Sequence, residues 1–211
     1  MASEDVDIIE KTTPFKGYIQ IDRYLLKHAL YEGGMSDVLS REIMERGHVG
    51  SVLLYDPDLD LFVLTEQFRP AAHIAKQSPW WGDDFSPWMV ECVAGMLEPD
   101  EQPEDLCRRE SIEEANCTVT ELYPIYHYFS SPGCLTESVF LFLGRVDASK
   151  AGGVHGLKHE HEDIRVFTAS PEETYQMLED GRIVNSMTMI AVQWFQLNRD
   201  KLRHKWLGNG A

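Results

Sequence analysis

No stretch of this chain is long and apolar enough to cross a bilayer as a helix. The first ten residues carry Glu4, Asp5, Asp7 and Glu10, which is the opposite of the basic start and apolar core of a secretory signal. A cytoplasmic protein with no membrane partner is the expectation. Cysteine is scarce as well: four residues, at positions 92, 107, 117 and 134, with no C-x-x-C spacing. Neither a zinc knuckle nor a redox pair is indicated, and reduced thiols are expected. Positive charge is the third shortage, with 19 Lys and Arg against 35 Asp and Glu. Nucleic-acid affinity comes largely from basic residues that displace counterions from phosphates, so no polynucleotide partner is expected. A small anionic ligand remains compatible, provided that a few arginines or bound cations concentrate positive charge locally.

With 211 residues, 43% of them apolar, the chain can bury one substantial core. From Gly17 to Leu30 apolar and polar residues roughly alternate, and Gly33-Gly34 ends the pattern, which predicts strands and a turn. Val52 to Tyr55 and Leu61 to Thr65 flank Asp56-Pro57-Asp58-Leu59-Asp60 and predict a hairpin. Further strands are expected at Trp88 to Ala94, Tyr123 to Phe129, Val139 to Val146 and Ile164 to Ala169, together a mixed sheet. Helices are expected from Pro103, from Ser170-Pro171-Glu172-Glu173, and at the end of the chain. In the last, Met187, Ile190, Ala191, Trp194 and Leu197 are spaced to form a buried stripe. Gln77 to Ser86 and Ala148 to Gly156 read as loops, and no internal repeat is present.

The chemistry concentrates between Gly95 and Cys117. On a helix beginning near Pro103, Glu110, Glu113 and Glu114 stand at i, i+3 and i+4, so three carboxylates share one face. Like charges at that spacing repel by a few tenths of a kcal/mol per pair unless a cation compensates, and hard oxygen ligands suit magnesium. Arg109 lies one turn before Glu113 and can orient it. Val93-Ala94-Gly95 leads in with a backbone carbonyl and a tight turn beside the carboxylates. An acidic helix is usually a solvated face and nothing more. Here the surrounding pattern argues otherwise, because Gly95, Glu101, Arg109, Glu110, Glu113 and Glu114 stand in the register G-x5-E-x7-R-E-U-x-E-E-x-G-U, where U is apolar. Two positions depart from it: Ser111 fills an apolar place and Asn116 replaces the last glycine. Asparagine is the next best residue for a left-handed position after a helix, so the loop is expected to keep its shape.

That register is the Nudix box. Over nearly its whole length, from about Lys16 to Trp206, the chain resembles the bacterial ADP-ribose pyrophosphatases of the Nudix superfamily. The matching stretches are Arg41-Glu42-Ile43 with Glu45-Arg46-Gly47, Glu66-Gln67-Phe68-Arg69, Ser130-Ser131-Pro132-Gly133 with Glu137, and His155-Gly156-Leu157 leading to Glu160-His161-Glu162-Asp163-Ile164-Arg165-Val166. The proline fifteen residues past Cys117 is a marker of the ADP-ribose subfamily.

The resemblance implies an α+β fold, the Nudix α/β/α sandwich with a mixed sheet in residues 49–211. It also implies an N-terminal β arm in residues 1–48 that exchanges between the subunits of a homodimer. By position, the metal ligands fall on the Ala94 carbonyl, Glu110, Glu114 and Glu162, for Mg2+ or Mn2+. Glu160 falls on the general base, though Glu162 is close enough to trade places, and Arg109 and Glu113 complete the catalytic set. Substrate contacts fall on Tyr18, Ile19, Arg41, Glu42, Arg46, Arg69, Met96, Ser131, Pro132, Gly133 and Glu137. The residue types suit those roles: Tyr18 can stack on adenine, and Arg41, Arg46 and Arg69 supply the local positive charge that the chain as a whole lacks. The segment from Ala72 to Pro87 is roughly eight residues longer than the resemblance leads one to expect, as a lid or a subunit contact would be. The three histidines near Glu160 are read as solvated rather than as a transition-metal site, because carboxylates already define a hard-cation site.

The expected reaction is Mg2+-dependent hydrolysis of ADP-ribose to AMP and ribose 5-phosphate, by attack of water on the diphosphate. Two rivals are weighed. One is pyrophosphatase action on another nucleoside diphosphate sugar such as GDP-mannose, or on a dinucleotide. The other is a non-catalytic ADP-ribose-binding module, which degenerate box carboxylates would favour; here all are intact.

Overall fold

The computed structural model describes residues 5–208, and the chain falls into two compact units. The smaller is the chain up to His48 together with Tyr128–Ser138. The larger is Val49–His127 with the chain from Val139 onward. The segment 128–138 therefore groups with the N-terminal residues, which a division at residue 48 leaves out.

The smaller unit is built on three antiparallel strands, β1 (Val6–Lys16), β2 (Gln20–His28) and β3 (Leu39–Glu45), in the order β1-β2-β3. The sequence pattern begins its strands at Gly17 and does not find β1. Almost all of β1 is exposed, so it lacks the half-buried alternation on which such a reading depends. At the centre of the sheet Asp22 is fully buried, its charge matched by Lys11 Nζ at 2.7 Å, with Thr13 and Gln20 donating further hydrogen bonds. Segment 128–138 is tied to β3 through Met44, whose N–H donates to the Cys134 carbonyl and whose carbonyl accepts from Thr136.

An eight-stranded mixed sheet lies mostly within the larger unit. Its members are β4 (Val49–Asp56), β5 (Leu61–Phe68), β6 (Trp88–Glu91), β7 (Val93–Met96), β8 (Glu121–Phe129), β9 (Ser138–Arg145), β10 (Gly153–His155) and β11 (Ile164–Ala169). The order is β10-β11-β5-β4-β9-β8, with β6 added to β5 and β7 to β4. β4 runs parallel to β9 and antiparallel to β5 and β7. The single strand expected at Trp88 to Ala94 is thus two. The chain leaves β5 after Glu91, passes Cys92 and joins β4 at Val93, so one apolar run serves two partners. Likewise the segment from Ala148 to Gly156, expected as loop, contains β10.

β4 is buried on both faces along its length, and its alternation sorts two cores. Val52 and Leu54 pack with Cys107 and Ala115 of α2 (Pro103–Ala115), alongside Val63, Val93 and Ile164. On the other face Tyr55 and Phe62 meet Phe195 of α4 (Ser186–Leu207) edge-on, at 4.6 and 4.7 Å between ring centroids. Helix α3 (Pro171–Glu179), opened by a capping box at Ser170 and Glu173, packs on α4. The result is the expected α/β/α sandwich. A short α1 (Pro70–Ala75) follows β5 and gives way to the loop expected from Gln77.

One expectation about α4 fails. Leu197 is exposed, and the buried side chains are Thr188, Ala191, Val192, Phe195, Leu202 and Trp206. Steps of three residues turn only about 300° on a helix, so a stripe counted from 191 through 194 to 197 drifts off the face that 195, 202 and 206 hold.

Candidate active site

Pro103 starts α2 with the φ a first helical position needs, and Asn116 ends it in the left-handed conformation at φ 51° and ψ 36°. The Asn116 N–H donates to the Ile112 carbonyl and the Cys117 N–H to that of Ser111, which closes the helix end. Both departures from the box are thereby accounted for. Asparagine tolerates the backbone that the glycine would adopt. Ser111, fully buried, turns its hydroxyl back onto the Cys107 carbonyl at 2.6 Å, so it fills an apolar place without an orphaned polar atom.

Arg109 is the organiser of the acidic face. Its Nε and Nη2 reach the two Glu101 oxygens at 3.0 and 3.1 Å, while Nη1 reaches Glu110 and Glu113 at 2.9 Å each. The expected orientation of Glu113 is therefore present, and Glu101 proves to be the anchor of the arginine. The box pattern marks Glu101 without revealing its task, because its partner is eight positions on and the contact exists only once the loop before α2 folds back.

Glu110 and Glu114 turn inward, toward β7. A Cβ placed on Gly95 would lie 1.9 Å from Glu110 Oε1, so the missing side chain is the space the carboxylate occupies. Gly95 is needed for this close approach; its backbone is not among the left-handed ones. Glu114 is nearly fully buried and accepts from the Ala94 N–H at 3.2 Å. The loop carrying Glu162 is tied to α2 by the Gly156 N–H on the Glu113 carbonyl, 3.2 Å away. Gly156 has φ +102°, and a Cβ there would meet that of Glu162 at 2.6 Å. Glu162 accepts in turn from the Leu157 N–H at 2.9 Å.

Burial pushes the Glu114 carboxyl well above the ordinary carboxylate range, and the charges of Glu110 and Glu162 add to the rise. Glu110 is raised too, first by burial and against the pull of Arg109, with Glu113 and Glu162 contributing. Neighbouring carboxylates thus oppose the ionisation of Glu110 and Glu114, a cost that a divalent cation removes. Among the described residues no three His, Cys, Asp or Glu side chains already stand as a closed cage for a metal. The donor set still fits one: hard oxygens, mutually repelling, backed by a backbone held in place by Gly95.

Glu160 is not drawn into that group. It sits on a single 3-10 turn, Lys158–Glu160, more than half exposed, with its carboxylate 3.5 Å from His159 Nε2. Arg69, at the end of β5, is clasped by Glu91 and feeds its charge to Glu114. Met96 closes β7 and is exposed.

The remaining candidates belong to the smaller unit. Tyr18 and Ile19 form the tip between β1 and β2, with Tyr18 almost wholly exposed. Arg41 and Glu42 lie exposed on β3. Arg46 pairs with Glu137 at 3.2 Å. Ser131, Pro132 and Gly133 are exposed in a turn whose Ser131 carbonyl accepts from Cys134 and Leu135.

Residues 44–199 match the model of the NUDIX domain. The chain belongs to the Nudix family. Among its relatives, the ADP-ribose pyrophosphatase of Escherichia coli K12 is 43% identical over 202 residues, covering 96% of this chain and 93% of that protein. That of Haemophilus influenzae is 38% identical, over 97% and 92%. The GDP-mannose pyrophosphatase of Pectobacterium atrosepticum is 30% identical, over 90% and 94%. A solved structure described as an ADP compounds hydrolase superposes with a TM-score of 0.68 at 12% identity, covering 96% of this chain and 99% of that one, which speaks for the Nudix fold alone.

Proposed function

We propose that this Nudix protein hydrolyses ADP-ribose to AMP and ribose 5-phosphate with the help of Mg2+ or Mn2+. The observation that carries the reading is the set Glu110, Glu114 and Glu162, backed by β7 and organised from the other side by Arg109. The Ala94 carbonyl and these three glutamates would hold the cation. When bound, it would neutralise diphosphate oxygens and make a neighbouring water more acidic. The chain's residues do the rest. Arg69 meets the charge that grows on the departing phosphate, and Arg109, bonded to both, offsets the repulsion between Glu113 and Glu110. Glu160 takes the proton from the water as its oxygen bonds to phosphorus and the bridging P–O bond breaks. Its exposure suits a base that engages only when substrate is present, and Glu162 is the alternative in the same loop.

ADP-ribose is preferred over GDP-mannose because the ADP-ribose pyrophosphatases match this chain at 43 and 38% identity, against 30% for the GDP-mannose enzyme. Tyr18, Ile19, Arg41, Glu42, Arg46, Ser131, Pro132, Gly133 and Glu137 are assigned to the substrate, with Arg69 and Met96. The smaller unit is assigned to dimerisation by strand exchange, supported by the exposed Ile8, Ile9 and Phe15 of β1. We place the protein in the cytoplasm, where four free cysteines persist as thiols.

Glu114→Gln preserves shape and removes the charge. Turnover of ADP-ribose should fall by about two orders of magnitude or more with the fold retained. Full activity with an unchanged Mg2+ requirement would reject the assignment; a panel of nucleoside diphosphate sugars ranked by kcat/KM tests the substrate.

A further inference from the structure

We infer that Glu91 is a positioning residue of the reaction, acting through Arg69. Arg69 donates Nε and Nη2 to Glu91 Oε2 at 2.8 and 2.7 Å, and Gln67 Nε2 reaches the same oxygen at 3.3 Å. The Glu91 side chain is almost completely buried while the arginine is 40% exposed, so the carboxylate is the fixed member and the guanidinium the presented one. The strand under Glu91 is itself pinned. Thr65 Oγ1 donates to the Glu91 carbonyl, Asn185 Nδ2 to that of Val90, and the Cys92 N–H to Thr188 Oγ1. A buried carboxylate clasping an arginine from behind leaves Nη1 to donate outward, and the Arg69 charge is already felt by Glu114. Two paired strands, β5 and β6, thus hold the arginine and its carboxylate partner together at their ends. A purely structural clamp would hold these strands together equally well, so the two roles must be separated by kinetics.

The inference rests on the proposed hydrolysis of a nucleoside diphosphate sugar. Purified full-length protein is assayed for kcat and KM on ADP-ribose at saturating Mg2+, as wild type, Glu91→Gln, Arg69→Met and the double variant, with thermal midpoints recorded. Glu91→Gln should lower kcat/KM roughly tenfold, and should add nothing in the Arg69→Met background. A loss below twofold, or an equal loss in both backgrounds, overturns the inference. If Glu91→Gln does not fold, Glu91→Asp, which keeps the charge but withdraws the oxygen, should show the same drop; wild-type constants there also overturn it. A wild type inert on ADP-ribose would strike the substrate assignment instead, and the cycle is then read on whichever nucleoside diphosphate sugar is turned over.

Discussion

A single hydrogen atom at position 95 decides where the Glu110 carboxylate can sit. Because a Cβ there would fall 1.9 Å from Glu110 Oε1, Gly95→Ala must expel the Glu110 side chain, and a flexible side chain yields more readily than the strand. The expected outcome is separation of function from stability: kcat/KM for ADP-ribose lower by on the order of a hundredfold, the thermal midpoint within a few degrees of wild type. Unchanged kinetics would show that Glu110 works from elsewhere. At this scale the sequence was most legible where partners lie within one helical turn. Arg109, Glu110, Glu113 and Glu114 could be placed from spacing alone. Glu101 with Arg109, Glu91 with Arg69, and Glu110 beside Gly95 meet only through the folding of loops and strands, and no periodicity announces them.

Elements were readable in proportion to their burial. β4, apolar and wholly buried, and the Asp56-to-Asp60 turn beyond it were evident. β1, exposed along nearly all its length, was not, and the run from Trp88 to Ala94 concealed a change of partner that no local pattern records. The end of α2 offers a quantitative test. Asn116 holds φ 51°, and Asn116→Ala must carry a Cβ into that conformation without the local help of the amide. Urea unfolding should show a loss of about 1 kcal/mol, while Asn116→Gly should be neutral or slightly stabilising. A second test concerns the three-stranded sheet. Lys11, with Thr13 and Gln20, holds the Asp22 carboxyl down at about 2, below its unfolded-state value. A depressed carboxylate stabilises the fold above its unfolded pKa and ceases to as pH falls through the folded one. The N-terminal strands should therefore lose protection from amide exchange between roughly pH 4 and pH 2. In Asp22→Asn that pH dependence should vanish; its survival would move the titration to another group.

For the molecule as a whole, the mixed sheet followed from the apolar runs and its two helical faces from the resemblance that the box carries, whereas the grouping of 128–138 with the N-terminal strands did not. Those residues run from the end of β8 to the start of β9 in sequence, and it is the bonds of Met44 to Cys134 and Thr136, with the Arg46–Glu137 pair, that reveal their allegiance. The proposed strand exchange makes a prediction at this scale. Light scattering should return a particle about twice the 24.2 kDa chain mass, and removal of residues 5–16 should return a single chain. A full-length particle of one chain mass would exclude the exchange.

The Arg69 N–H donates to the Pro87 carbonyl at 2.9 Å, and Lys76 Nζ bonds the carbonyls of Asp83 and Phe85 at 2.8 Å each. The excursion between β5 and β6 is consequently a closed ear on a fastened stem. Residues can be gained or lost beyond the knot while the guanidinium at its foot stays where Glu91 put it. Such a place lets descendants experiment with surface without wagering their chemistry, and it is where an engineer should splice a tag or a reporter.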